Sequence, residues 1–410
     1  MWRPNIQIGV SVVIVVTALI SITLFLKPQT KPFAEVSSSP PPIIDNFKYW
    51  RTDESQTVSF SSQSISAKFS KRIDLNFQLS YFDFVNDNEG FGVGTSWKHG
   101  QLPIFFRTED GGQNWSIEPL AIGSNPTGIA FRNNQEGLIT TFENSGCPPP
   151  NCLNKAFTLN TKDGGQSWEL VEHKDLRGRL SNLRTDSKGN YYAAFTVYEH
   201  LFFANQSPPS IRSSTPSVKL VKSIDAGMNW VTISDLGNTL LESQDLQLVH
   251  DTLYVRIDSS TIAKFDTSGN LIGRLRPKSG RIWQFIPVSD TAVFATVING
   301  SSVTLLVRTV DEGRSWDVIR RDWKALIAAR SPDEVVGVIP KGRHRHPSPV
   351  DGYGGVSTIA YTDNGGETWA ESEMLDSLYP FALWHSSASN LDLVLLQDRV
   401  LTVTTLPNGS

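Results

Sequence analysis

The sequence predicts an all-β protein: a seven-bladed β-propeller, with six blades as the alternative, carried behind an N-terminal transmembrane helix. Three observations predict it. The pattern T-x-D-G-G-x-x-W, or a near copy, occurs five times and ends at Trp115, Trp168, Trp230, Trp316 and Trp369. A unit that recurs at steps of 53, 62, 86 and 53 residues marks an array of like sheets. Between the copies, short runs alternate apolar and polar residues and stop at Asn, Asp and Gly, as half-buried strands do. The third observation is the run Ile8–Leu26, 19 residues without a charge, long enough to cross a bilayer as a helix.

From the N-terminus, residues 1–7 are a short tail and 8–26 the anchor. A cleaved leader has a shorter apolar region and a small-x-small site. Here the run ends at Phe25-Leu26-Lys27, and Phe33-Ala34 offers only a weak site, so an uncleaved signal-anchor is the main expectation and secretion the alternative. A short tail before a large C-terminal domain places that domain outside the cytoplasm. Residues 27–55, with KPQTKP and SSSPPP, read as a Pro/Ser linker without a core of its own. Residues 56–406 are the propeller.

Each eight-residue copy reads as a tight hairpin. Asp110, Asp163, Asp225 and Asp311 hold the turn backbone, and Asn364 does so without charge in the fifth copy. Gly supplies the positive φ. Trp115, Trp168, Trp230, Trp316 and Trp369 start the returning strand and cover the hairpin. The step of 86 is too long for one blade. It contains TIAKFDTSGNLIGRL, read as a fourth blade whose turn has lost the pattern. After Trp369, YPFALWHSS, LDLVLLQ and RVLTVTT make about three strands, and Thr57–Phe69 can supply the missing outer strand and remove the free edges.

These hairpins resemble the Asp-box (BNR) repeat of sialidases, sortilin-type receptors and photosystem II stability or assembly factor-like proteins. FVNDNEGFGVG followed by FFRTEDGGQNW is most similar to the last group. That resemblance implies a non-catalytic propeller that binds other proteins, with the box hairpins structural and away from the functional face. Sialidases imply a different outcome: a Tyr nucleophile, an acid and three clamping arginines. Their Arg-Ile-Pro segment is absent before Thr108, Arg107 and Arg308 sit at equivalent repeat positions, and Tyr192, Tyr254 and Tyr353 have no nucleophile setting. A sialidase-type glycoside hydrolase is the minority expectation.

In a four-stranded blade the loop between the second and third strands lies opposite the box hairpin. Three such loops are long: Glu143–Lys155, Tyr198–Pro216 and Pro340–Gly355. They are the expected rim for a protein or glycan partner. Phe202 and Phe203 offer an apolar contact, and Arg343, His344, Arg345 and His346 a basic one. Cys147 and Cys152, in CPPPNC, are a disulfide candidate in an oxidising compartment. The spacing suits neither zinc nor redox catalysis, and no cofactor is expected. A net charge of -4 gives no footprint for nucleic acid.

Overall fold

The computed structural model describes residues 50–51, 54–59, 64–69, 77–86, 88–96, 102–111, 114–120, 122, 125–143, 155–197, 200–203, 210–213, 216–239, 245–300, 303–321, 323, 326–340, 357–371, 380–385, 391–396 and 400–405. The chain divides into two compact units, Met1–Ile44 and Asp45–Ser410, and every described residue belongs to the second. The anchor 8–26 therefore lies outside the described residues, among which no helix is long and apolar enough to cross a membrane.

Three strands come first: β1 (Trp50–Arg51), β2 (Glu54–Ser59) and β3 (Ser64–Phe69). The first two fall inside or across the end of the stretch read as linker. Blade 1 holds β4 (Phe77–Phe84), β5 (Gly90–Ser96), β6 (Leu102–Thr108) and β7 (Asn114–Pro119). Blade 2 holds β8 (Pro126–Phe131), β9 (Gly137–Glu143), β10 (Lys155–Thr161) and β11 (Glu169–Arg177). Blade 3 begins with β12 (Arg179–Thr185) and β13 (Tyr191–Val197). It then inserts a hairpin, β14 (His200–Phe203) and β15 (Ser210–Ser213), before β16 (Ser217–Ser223) and β17 (Val231–Gly237). Blade 4 is β18 (Leu246–Val249), β19 (Thr252–Arg256), β20 (Ile262–Asp266) and β21 (Leu271–Leu275). Blade 5 is β22 (Arg281–Pro287), β23 (Val293–Asn299), β24 (Val303–Thr309) and β25 (Asp317–Arg321). Blade 6 is β26 (Leu326–Ala329), β27 (Val335–Pro340), β28 (Ser357–Thr362) and β29 (Ala370–Glu371). The last strands are β30 (Pro380–His385), β31 (Leu391–Leu396) and β32 (Val400–Thr405).

Within each blade the strands pair antiparallel in the order first to fourth, and β1 adds to the edge of blade 1 beside β7. The first strand of each blade lies beside the first strand of the next, from β4 through β8, β12, β18 and β22 to β26. First strands therefore ring an axis and fourth strands form the periphery. Among the described residues there are six such blades, the alternative count and one fewer than the main expectation of seven. The remaining strands β30, β31 and β32 pair onward with β3 and β2 in a five-stranded sheet drawn from both ends, where Thr57–Phe69 was expected to supply one outer strand and instead supplies a hairpin.

The core sits in the seams between blades. Phe91, Val93 and Phe105 of blade 1 pack on Ile129, Phe131 and Ile139 of blade 2, with the rings of Phe91 and Phe131 stacked 3.6 Å apart. Four further clusters repeat the arrangement from blades 2 and 3 to blades 5 and 6. Alternation along the strands causes this, because side chains on the two faces of a twisted blade point at different neighbours. Each large apolar side chain buried there contributes about 1.5–3 kcal/mol.

The box hairpins form as their chemistry requires. Asp163 Oδ1 accepts from the Thr161 hydroxyl (2.8 Å) and the Ser167 amide (2.9 Å), and Oδ2 from the Ser167 hydroxyl (2.5 Å). Asp110, Asp225 and Asp311 repeat these bonds, and Asn364 accepts from Thr362 and Thr368. In blade 4 the pattern is lost but the device survives: Asp266 accepts from the Ser268 and Asn270 amides and the Asn270 side chain. Glycine is required for two reasons at once. Gly269 has φ +88°, and a Cβ there would strike the carbonyl of Ile233 in blade 3.

Candidate functional site

The box-bearing end is occupied by internal bonds, which reach from blade to blade. Asn160 donates to the Ala226 carbonyl (2.8 Å), Lys222 to Thr267 (3.3 Å), Lys264 to Asp290 (2.8 Å) and Arg308 to Pro332 (2.9 Å). Each donor lies just before a blade's third-to-fourth turn, and each acceptor belongs to the following blade. Trp115 is buried edge-on against Phe82 and Phe84. Trp168 sits edge-on to Phe105 and Phe131 across the first seam. Trp230 and Trp316 join the seam clusters of blades 2–3 and 4–5, and Trp369 packs against Trp323. The box carboxylates are spent on their own turns. The Ser315 amide and hydroxyl hold the Asp311 carboxyl down at about 2.

The opposite end differs. The first strands of blades 1, 2, 3 and 5, and β30, each carry a β-bulge: at Ser80, Thr127, Asn182–Leu183, Trp283 and Phe381. Those of blades 1, 2 and 5 and of β30 lie in the half of the strand nearer the blade-to-blade link, away from the boxes, and that of blade 3 lies at mid-strand. A bulge redirects a side chain that regular pairing would bury. In blade 5 that side chain is Trp283, which is 43% exposed although it lies on an innermost strand.

Trp283 is held by bonds on both sides of it. Before it, the buried Arg256 donates to the Ile282 carbonyl (2.7 Å) while gripping Asp245 with two bonds, of 2.7 and 2.8 Å. After it, the Gln284 amide exchanges two bonds of 3.1 Å with the backbone of Ile327 in blade 6. The link that leads into β22 is basic. Arg274, Arg276, Lys278 and Arg281 are all exposed, and Arg276 is braced by the Thr261 hydroxyl at 2.8 Å. An exposed indole on a strand held at both neighbouring residues, preceded in sequence by the basic run Arg274–Arg281, has the composition of a recognition surface, and it suits a ligand with acidic and apolar groups.

A second polar group lies deeper on the axis. Asp83 on β4 accepts from the Phe131 amide on β8 at 2.6 Å. Burial pushes its carboxyl up to about 7, against the pull of that bond and of Arg184 on β12. Arg184 is itself pulled down by loss of water, and donates to the Leu183 carbonyl and to Gln247 of blade 4.

The expected partner residues stand as follows. Phe202 and Phe203 lie on β14, in the hairpin inserted into the loop 198–216. Arg343, His344, Arg345 and His346, and Cys147 and Cys152, lie outside the described residues, as does Tyr353. Tyr192 and Tyr254 are fully buried, and burial pushes both phenols well up. The Tyr192 hydroxyl donates to Asp186 and that of Tyr254 to the Ser289 carbonyl, and with neither side chain exposed neither faces a substrate. Among the described residues no group of three His, Cys, Asp or Glu is placed to hold a metal. Sequence reasoning missed Trp283 and the link Arg274–Arg281. The signal was present as RLRPKSGRIW, a basic run that ends in an aromatic residue.

No protein-family model matches the chain. Over 116 residues it is 32% identical to "Photosystem II assembly lipoprotein Ycf48" of Synechococcus sp. (strain CC9902). That alignment spans 28% of this chain and 29% of the relative's length. Among solved structures, "YCF48 bound to D1 peptide" superposes with a TM-score of 0.55 at 15% identity, over 83% of this chain and 97% of that one. An oligogalacturonate lyase in complex with manganese gives 0.53 at 9% identity, over 88% and 98%. Virginiamycin B lyase from Staphylococcus aureus gives 0.51 at 10%, over 83% and 100%. The structural likenesses establish the propeller fold. The sequence likeness is to the photosystem II assembly factor, as the repeat in blade 1 led us to expect.

Proposed function

We propose that this chain is a non-catalytic propeller that binds a protein partner at the end opposite the boxes, as an assembly or stability factor. The observation that carries this is Trp283, exposed on an innermost strand whose neighbouring residues are held on both sides, and preceded by the exposed basic run Arg274–Arg281. The sequence likeness to an assembly factor and the structural likeness to one bound to a peptide support the reading. The partner segment carries acidic groups for the link Arg274–Arg281 and an apolar side chain for the indole. Co-purification of partners with the full chain, compared with Trp283→Ala and Arg281→Ala, tests it. Loss of the same partner from both variants is expected, and unchanged recovery would remove the site. Turnover of a fluorogenic sialoside by the full chain would overturn the non-catalytic reading.

The same proposal includes an extracytoplasmic domain held to a membrane by residues 8–26. Resistance to carbonate extraction and cleavage by external protease are its expected outcomes. It also takes the sheet of β30, β31, β32, β3 and β2 as a seventh blade closing the ring, supported by the antiparallel pairing of β3 with β32. An experimental structure with that sheet off the ring would remove this part alone.

A further inference from the structure

Asparagine followed by glycine is a reactive pair. The glycine amide nitrogen attacks the asparagine Cγ and ammonia leaves. Water then opens the five-membered imide to aspartate or isoaspartate. Glycine permits the attack because it carries no side chain and its backbone turns freely. The sequence holds three such pairs: Asn299-Gly300, Asn364-Gly365 and Asn408-Gly409, the last outside the described residues.

At Asn364 the box turn ties down both reacting atoms. Its Oδ1 accepts from the Thr362 hydroxyl and the Thr368 amide, both at 3.0 Å, and its Nδ2 donates to the Thr368 hydroxyl at 2.7 Å. The Gly365 nitrogen is held on the Asp333 carbonyl at 2.8 Å. The Asp-Gly pairs of the first two boxes, which can close the same ring with loss of water, are held likewise. Gly111 donates to the Asn88 carbonyl and Gly164 to that of Gln135, each at 2.8 Å.

Asn299 lacks these restraints. It ends β23, Gly300 opens the turn to β24 with φ +55°, and both are exposed. A Cβ on Gly300 would meet nothing within 4 Å, so the attack is unhindered. Among the described residues no hydrogen bond holds the Asn299 side chain or the Gly300 amide. The pair lies at the end opposite the boxes, one residue beyond Ile298, which faces Arg281 across the sheet. Gly280 runs so close that a Cβ there would lie 2.7 Å from the Ile298 carbonyl. Conversion therefore sets a carboxylate against the end of the basic link Arg274–Arg281, within the roughly 8 Å over which salt screens a charge.

We propose that Asn299 is a self-modification site: it deamidates in the folded protein, and the carboxylate formed weakens the surface that takes an acidic partner. The deamidation stands by itself, and the weakening rests on the function proposed above.

Peptide mapping by mass spectrometry, on the full chain aged at mildly alkaline pH, tests the first part. Conversion at Asn299 is expected to be at least about tenfold faster than at Asn364, where the box bonds have to open first. In urea the two pairs are expected to react at similar rates, because the restraint belongs to the fold. Equal rates in the folded chain, no conversion at Asn299, or a difference that persists in urea overturns the proposal. Partner recovery tests the consequence. Asn299→Asp is expected to lower recovery of the partner that Trp283→Ala loses. Aged Asn299→Gln, whose longer amide closes a ring far more slowly, is expected to keep it. Full recovery by Asn299→Asp where Trp283→Ala fails overturns the weakening and leaves the binding surface in place. Full recovery by both variants removes the surface and the weakening together, and the peptide map alone then decides the deamidation.

Discussion

The two ends of the blades obey different rules. At the box end, blade after blade uses the same solution: an Asp or Asn that closes its own turn, a glycine pressed on the preceding blade, and a long polar side chain reaching the next. At the other end the blades diverge. Three of the six carry a bulge in that half of their first strand, one inserts a hairpin, and one presents a tryptophan to solvent. Repetition marks the end that holds the ring together, and irregularity marks the end free to vary. Blade 4 sharpens the contrast. It lost the eight-residue pattern but kept the Asp266 bonds and the glycine at φ +88°.

Substitutions can break this contrast, and the largest effect is expected at a glycine. Gly269→Val forces a branched side chain into left-handed backbone and against the Ile233 carbonyl. A loss of about 4 kcal/mol in denaturant unfolding is expected. Asp83 comes next. Its folded carboxyl titrates near 7, well above its usual value of 3.8, so ionisation opposes folding. That penalty is absent at pH 4 and full above pH 7. A rise of about three units is worth roughly 4 kcal/mol, which partial solvent access reduces to about 2. Asp83→Asn is accordingly expected to stabilise the domain by about 2 kcal/mol at pH 8 and by nothing at pH 4, as measured by urea midpoints.

The box acids sit in the middle of the scale. Asp163→Ala removes three hydrogen bonds at a solvent-facing turn and is expected to cost about 1–2 kcal/mol. Asp266→Ala is expected to match it, although sequence alone would rank blade 4 as having no box to lose. A markedly smaller effect in blade 4 would show that the surviving bonds are incidental. Trp283→Ala is the smallest change in stability, within about 0.5 kcal/mol, because the indole is exposed and its bracing bonds are made by other residues. Its effect belongs in partner binding. A large drop in thermal midpoint would move Trp283 from the recognition surface to the core.

Much of the box end was legible in the sequence because its physics is local. A carboxylate two positions after Thr, a glycine and a tryptophan all act within one hairpin, and five copies made the pattern unmistakable. The opposite end was legible only as loop length. A bulge is one extra residue in a strand and leaves no compositional mark, so Trp283 looked like any core aromatic in RIWQFIP. The bracing by Arg256 and Gln284 comes from blades 4 and 5 acting on their neighbours, a non-local fact that no spacing reveals. Arg107 and Arg308 looked equivalent as letters before a box. Only the structure separates them: both guanidiniums lie against a glycine of the next blade's box, but Arg308 also donates to a carbonyl of that blade, while Arg107 pairs with Glu109 of its own hairpin.

The pairing of β3 with β32 sets the order in which this molecule can be completed. Translation delivers Ser64–Phe69 about 330 residues before its partner Val400–Thr405. Throughout synthesis and any export, that early strand waits with one edge uncovered, open to pairing with a neighbouring nascent chain. A stop shortly before Val400 leaves a chain whose first hairpin lacks the strand it joins.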